Sequence, residues 1–330
     1  MSVHVLAPGL ATTVQDGGRR GLAASGVGAA GAMDTVALRL ANRLVGNGED
    51  AAALEITLRG PRLRVEIDCL VAIAGGDADV RCAGQRVPTW RPVALRAGAE
   101  ISFDLARGAR GYLAIAGGFR VDAVLGSRSV DLNAAIGPMG GRALRPGDVL
   151  PAQSVPHSLC RELWREAAPR GFAATRWSLD PAPWFDATSR PLSLVPGSHF
   201  AALDAASQHA LFAADFRVGA DSNRVGFRLE GPRLALATPL EPVSEATVPG
   251  TLQLPPGGAP IALMAEAPTC GGYPRIGHIA TVDLPRLAQL RPHDTLRFAG
   301  ISPETAQTRY LERERILTAL AQTIDERLHA

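Results

Sequence analysis

The sequence contains no lysine: all 34 basic residues in its 330 positions are arginine. That excludes a Schiff-base lysine and a Walker-type lysine against an ATP phosphate. It also excludes a lysine-linked biotin or lipoate, so a function that needs ATP or biotin must draw it from a partner. Aromatic residues make up only 5%, the net charge is +2, and no basic run of five occurs. Stacking platforms and an electrostatic footprint for nucleic acid are both missing, so no nucleic-acid partner is expected. The four cysteines, at 69, 82, 160 and 270, form no C-x-x-C pair. Cys69 and Cys82 fall in apparent strands, where a free thiol behaves as a small apolar group. The seven histidines are scattered, with no H-x-x-x-H or H-x-x-E-H spacing, so no metal site is expected. No G-x-S-x-G elbow is present, which removes the serine-hydrolase case. The opening MSVHVLAPG lacks a basic n-region and a long apolar stretch, and no run reaches the length of a membrane span. The expectation is a cytoplasmic chain with no membrane partner.

What is present is β pattern and glycine. Residues 3–6 alternate as a short strand, and a Gly-rich stretch, TTVQDGGRRGLAASGVGAAGAMD, follows over 12–34. Val14, Leu22, Val27 and Met33 within it favour ordered loops over disorder. Asp34 reads as the N-cap of a helix over 35–45, with Val36, Leu40 and Leu44 on one face and Gly46-Asn47 as stop signals. Short apolar segments then recur about every ten residues: 54–58, 69–75, 79–84, 92–98, 100–105 and 111–118. That spacing predicts a sandwich or barrel. Prolines crowd 151–192, where HSLCRELWREA (157–167) reads as one short helix in a connection. A helix is predicted over 199–212, with Phe200, Leu203 and Leu211 inward. β pattern resumes over 216–300. Ser302 and Pro303 start a long terminal helix marked by Tyr310, Leu317, Leu320, Ile324 and Leu328.

A weak internal echo joins the halves. EITLRGPRLRV (55–65) resembles GFRLEGPRLAL (226–236). LRAGAEISF (95–103), LRPGDVLPA (144–152) and LRPHDTLRF (290–298) share a basic turn followed by a strand. Two related β domains are expected.

Four segments carry candidate chemistry. In TVQDGGRRG (13–21), Gln15 and Asp16 precede two glycines whose N–H groups can form an anion nest; a plain tight turn at Asp16-Gly17 is the simpler reading of the spacing. Asp34 suits an N-cap better than an acid. Ser222, Asn223 and Arg224 stand at the mouth of a strand that starts near 225. There they suit either a carboxylate or amide ligand or an Asx or Ser turn. In AEAPTCGGYPRIG (265–277), Gly271 and Gly272 permit unusual backbone angles, and Pro274 drives Tyr273 into an extended conformation. Tyr273 is thereby presented by a constrained loop, able to hydrogen-bond a substrate or share a proton. Packing at a strand end is the alternative. Cys270 has no activating neighbour in sequence.

Taken in order, these segments resemble one family. TVQDGGRRGLAASGVGAAGAMD, ANRLVGN (41–47) and LEITLRGP (54–61) look like the start of the biotin-dependent carboxyltransferase family. GSRS (126–129) with GGRALRPGD, SNRVGFRL with EGP, PGTLQLPPGGAPIALM (249–264) and GGYPRI (271–276) match its later motifs. Members include the C subunit of the bacterial ATP-dependent 5-oxoprolinase, KipA-like proteins and allophanate hydrolase subunit 2, and the module also forms part of urea carboxylase.

The resemblance implies a mainly β chain with two cyclophilin-like β-barrel domains, a few peripheral helices and a C-terminal helix. The corresponding boundaries are a first barrel over 1–155, a linker over 156–190, a second barrel over 191–300 and the helix over 301–330. Two partners are implied: a KipI-like B subunit, similar to allophanate hydrolase subunit 1, and a lactam-utilisation-type A subunit. The active site would lie at or near an interface. ATP would be used by the complex and bound with the partners; biotin would come only through a partner. The implied activity is ATP-driven opening of 5-oxoproline to glutamate. Carboxyl transfer to a urea-type or amide acceptor, and KipA-like relief of a kinase inhibitor, are the alternatives. On this reading Tyr273, Glu266 and Arg224 are the catalytic candidates. Gln15, Asp16, Ser222, Asn223, Thr269, Gly271 and Gly272 are the substrate-binding ones. The loop before GGYP departs from the family pattern of an acidic residue, a Gln and two Thr. Glu266 keeps the charge, Pro268 removes an amide, and Cys270 replaces a hydroxyl.

Overall fold

A computed structural model describes residues 2–153, 163, 171–185 and 190–329. The chain is mainly β, with few helices and a long C-terminal one. It divides into two compact units. One comprises Met1–Arg19, Asp34–Phe185 and Leu317–Ala330; the other comprises Arg20–Met33 and Asp186–Ile316. The helix expected over 157–167 lies outside the described residues, apart from Leu163. Among the described residues no helix is long and apolar enough to cross a membrane.

The first unit is a ten-stranded sheet curved into a half-barrel. Its spine is the antiparallel pair Cys69–Cys82 and Glu100–Ile115, in register from Val71–Ile115 to Cys82–Ile101. The sequence predicts each of these as two strands split by Gly-rich breaks. The breaks are instead irregularities in the ladder, between Gly75 and Ala78, facing Arg107 and Gly111. A bulge admits glycine without ending the strand, so a continuous element reads as two. Alternate residues Val80, Cys82, Ile101, Phe103 and Leu105 enter one core with Val5, Leu54, Ile56 and Leu63.

The helix Thr35–Arg43 begins where expected, with Asp34 Oδ1 accepting from Ala37 N at 2.9 Å. Beyond its end, Asn47 is 8% exposed and locks the return of the chain. Its Nδ2 donates to Asn42 Oδ1 at 3.1 Å and Ile115 O at 2.8 Å, while its Oδ1 accepts from Gly117 N at 2.8 Å. The ANRLVGN motif is thus explained by structure rather than by ligand chemistry.

The second unit is an eight-stranded, nearly closed barrel. Its two end strands, Thr295–Leu296 and Phe298–Gly300, are separated in sequence by Arg297 alone. The chain itself therefore joins the ends of the sheet. Leu194, Phe216, Phe227, Leu252, Ile276 and Phe298 fill the core, and Met33 from the Gly-rich stretch joins them. The helix expected over 199–212 is broken. A 3₁₀ turn at Phe200–Ala202 gives way to extended Leu203, which bridges Leu236, and Asp204 then caps the α-helix Ala205–Ala213. An internal Asp that accepts from Ser207 N at 2.6 Å restarts the helix. The terminal helix runs Pro303–His329, with Leu317, Ala321, Ile324 and Leu328 buried. Tyr310, expected on that face, is 40% exposed and lies under the Arg313 guanidinium.

The echoed turn is one device used three times. Arg96, Arg145 and Arg291 each accept, through the backbone oxygen, from the N–H three residues on, at 3.0, 3.2 and 3.0 Å. The third residue has φ of +83° at Gly98, +86° at Gly147 and +75° at His293, the pattern of a type II turn. Its N–H then donates to a strand valine, Val65, Val5 or Val218 respectively.

Candidate functional site

The sequence-identified residues divide between the two units. Gln15 and Asp16 belong to the first unit. Gln15 is fully buried, and its Nε2 donates to Thr13 Oγ1 at 3.0 Å and Val130 O at 2.9 Å. Asp16 closes the turn onto the GSRS segment. Its carboxylate accepts from Ser127 Oγ and Ser129 Oγ, both at 2.6 Å, from Arg128 N at 2.5 Å and from Gly18 N at 2.9 Å. Burial by itself would raise this carboxyl, but the two serine hydroxyls and two backbone N–H groups outweigh it and hold the group below its ordinary range. Asp16 is therefore the anion in its own nest. A nucleotide phosphate does not fit there, because the donors are already taken. The absence of lysine likewise leaves no attachment point for biotin.

The others lie within the second unit. The strand Gly226–Glu230 begins where expected, with Phe227 and Leu229 buried. At its mouth Asn223 Oδ1 accepts from Val225 N at 2.8 Å and Gly226 N at 3.3 Å, and Ser222 Oγ accepts from Arg228 N at 3.1 Å. These two residues make the turn that starts the strand. Arg224 does something different. It is 6% exposed and pairs with Glu266, itself 5% exposed, with Nε to Oε1 at 2.6 Å. Its Nη2 donates to Gly31 O at 2.6 Å, and Glu266 N donates to Arg224 O at 2.8 Å. One guanidinium thus ties the Gly-rich stretch to the segment that leads into GGYP.

From Glu266 the chain runs through Ala267 and Pro268 to Thr269, whose oxygen accepts from Thr247 N at 3.0 Å. Thr247 Oγ1 donates to Pro268 O. Cys270–Gly271 pairs with Glu245–Ala246 in a two-stranded ribbon. Neither Gly271 nor Gly272 has a positive φ, contrary to the expectation of unusual backbone angles. A Cβ at 271 would lie 2.6 Å from Gln253 Nε2, so a side chain there needs the Gln253 amide to shift. At the end of this ribbon Tyr273 is 46% exposed, beside the exposed Cys270 and Gly272. Arg275 anchors the ribbon from the strand Arg275–Ile279. It donates to Ala246 O at 3.1 Å and pairs with Glu245. On the same strand burial pushes His278 below its ordinary value.

The geometry brings Arg224 and Glu266 together and presents Tyr273 to solvent. Sequence reasoning missed Thr247, Gln253 and Arg275. Gln253 carried a usable signal, a polar residue inside the apolar run TLQLP.

Comparisons with known proteins agree with this architecture. Residues 25–300 match the carboxyltransferase domain, subdomain A and B family. The chain is 37% identical to the 5-oxoprolinase C subunit of Escherichia coli strain K12, over 97% of each chain. It is 34% identical to the Haemophilus influenzae protein of the same name, over 96% of each. The crystal structure of Kluyveromyces lactis urea carboxylase superposes with a TM-score of 0.83 at 29% identity, covering 96% of this chain and 29% of that one. The chain spans under a third of that enzyme and about half of other solved relatives it matches. With a match over most of its length and close relatives over nearly all of it, the chain belongs to the carboxyltransferase domain, subdomain A and B family.

Proposed function

We propose that this chain is the C subunit of a 5-oxoprolinase and acts with partner subunits to open the lactam ring of 5-oxoproline. One observation carries the reading. The two bacterial relatives of that name align over 96–97% of both chains, so the match is to an entire protein and not to a fragment of a larger enzyme. In this reading the exposed Tyr273 hydroxyl meets the cyclic amide. The Arg224–Glu266 pair, too buried to touch it, holds the loop that presents Tyr273. Partner subunits supply the ATP-dependent step, consistent with a chain that has no lysine and whose Gly-rich turn is filled by Asp16. The test is to reconstitute the complex and assay ATP-dependent 5-oxoproline opening with Tyr273→Phe and Arg224→Ala. Unchanged turnover in both variants rejects the site assignment.

The fold favours one second reading. The match to urea carboxylase supports carboxyl transfer to an amide-type acceptor, with biotin brought by a partner. Carboxylation of an amide dependent on a biotin carrier, without lactam opening, would select it.

A further inference from the structure

Beside the GGYP ribbon the fold leaves two donors unused. Gln253, at the end of the strand Thr251–Gln253, is 5% exposed, and its Nε2 is buried with no hydrogen-bond partner among the described residues. Its register partner across the sheet is Arg275, so the two side chains leave the same face. Arg275 Nε is also buried without a partner. The rest of that guanidinium is engaged, by Ala246 O at 3.1 Å, by Ser198 Oγ at 3.3 Å and by Glu245. A buried N–H that lacks an acceptor loses its water and gains nothing, so such groups call for a reason.

Both orphans are donors, and an oxygen acceptor is what satisfies them. The charge of Arg275 is already matched by Glu245, which disfavours a further carboxylate and favours a neutral carbonyl oxygen. The cover over this pair is thin. It is the ribbon of Glu245–Ala246 against Cys270–Gly271, only two residues on each side. Gly271 lays bare backbone next to the Gln253 amide, and a Cβ there would require that amide to move.

We propose that Gln253 and Arg275 bind the carbonyl oxygen of a cyclic amide, which reaches them when the Cys270–Gly271 strand parts from Glu245–Ala246 and leaves those two residues on Arg275. This rests on the 5-oxoprolinase reading and adds the subsite for the scissile carbonyl.

The ribbon offers its own control. The Thr247 N to Thr269 O bond makes the adjacent Ala246–Cys270 pair the non-hydrogen-bonded kind, with Cα atoms about 4.5 Å apart and within reach of a disulfide. The experiment records melting curves of the reconstituted complex against 2-pyrrolidinone, a lactam without a carboxylate. The wild-type complex should be stabilised by the lactam. Gln253→Met should melt like wild type without lactam, having lost an amide the fold never satisfied, yet bind lactam roughly tenfold more weakly. Gln253→Glu, which keeps shape but loses the N–H donor, should bind more weakly too. Ala246→Cys should lose lactam binding when oxidised and regain it with a reductant. Equal lactam affinity in all variants, a Gln253→Met complex that melts far below wild type, or no lactam effect on wild type would each overturn the proposal. Lactam binding that depends on Gln253 without any 5-oxoproline turnover would instead retire the 5-oxoprolinase reading and leave the subsite standing.

Discussion

Removing Glu266 should unfasten the second unit. The pair it forms with Arg224 is shielded from water, with side chains 2% and 7% exposed and a 2.6 Å contact. Screening by solvent is therefore slight. Glu266→Ala leaves a buried guanidinium without its counter-charge, and Arg224→Ala leaves a buried carboxylate and frees Gly31 O. Breaking one side of such a pair costs about 3–5 kcal/mol. At roughly 2–4 °C per kcal/mol for a unit of this size, each single variant should lower the melting temperature by about 6–20 °C. The double variant Arg224→Met/Glu266→Leu removes both charges and keeps the volume. It should recover most of the loss, giving a coupling of about 3 kcal/mol. Calorimetry and far-ultraviolet dichroism on the four proteins measure the cycle. Single variants that lose under about 1 kcal/mol, or a double variant that simply adds the two losses, would refute a buried lock.

Other features make independent predictions. Because Asp16 is held below its ordinary value in the folded state, its contribution is present above the unfolded value of about 4 and is lost as pH falls through the folded one. Asp16→Asn should cost about 2 kcal/mol at neutral pH, and a urea titration should show that deficit shrinking below about pH 4. Asn47→Ala strands an amide, a carbonyl and an N–H around Ile115 and Gly117; chemical denaturation should report a loss of about 2–3 kcal/mol. The repeated turn gives different outcomes at equivalent places. Gly147→Ala, at φ +86°, should destabilise by about 1 kcal/mol, whereas His293→Gly, at φ +75°, should not destabilise at all.

Much of the fold was legible because local chemistry and final structure agree. Asp34 caps its helix, Phe227 and Leu229 alternate into the core, and the three arginine-led turns recur in sequence because each needs the same backbone geometry. Elements failed to read where tertiary pairing overrode a local break. Gly75 and Gly76 look like a turn but sit inside a continuous strand, since the opposite strand is irregular at the same level. Leu203 looks helical but is drawn into a bridge with Leu236. The site was half legible. The segments that matter were visible as Gly-rich loops, yet burial was not. Nothing local distinguishes Arg224, which is enclosed, from its neighbours Ser222 and Asn223, which shape a turn. The neighbour that Gly271 meets lies eighteen positions away in sequence, at Gln253, which the sheet pairs with Arg275.

Under the proposed function, this chain completes a lactam-opening complex. The most direct measurement is glutamate release from 5-oxoproline with ATP, by the chain purified together with the proteins of its genomic neighbourhood and by the same preparation lacking this chain. Release that requires this chain, and that falls with Tyr273→Phe, is the predicted result. A preparation that opens 5-oxoproline equally well without it, or not at all with every partner present, contradicts the proposed function.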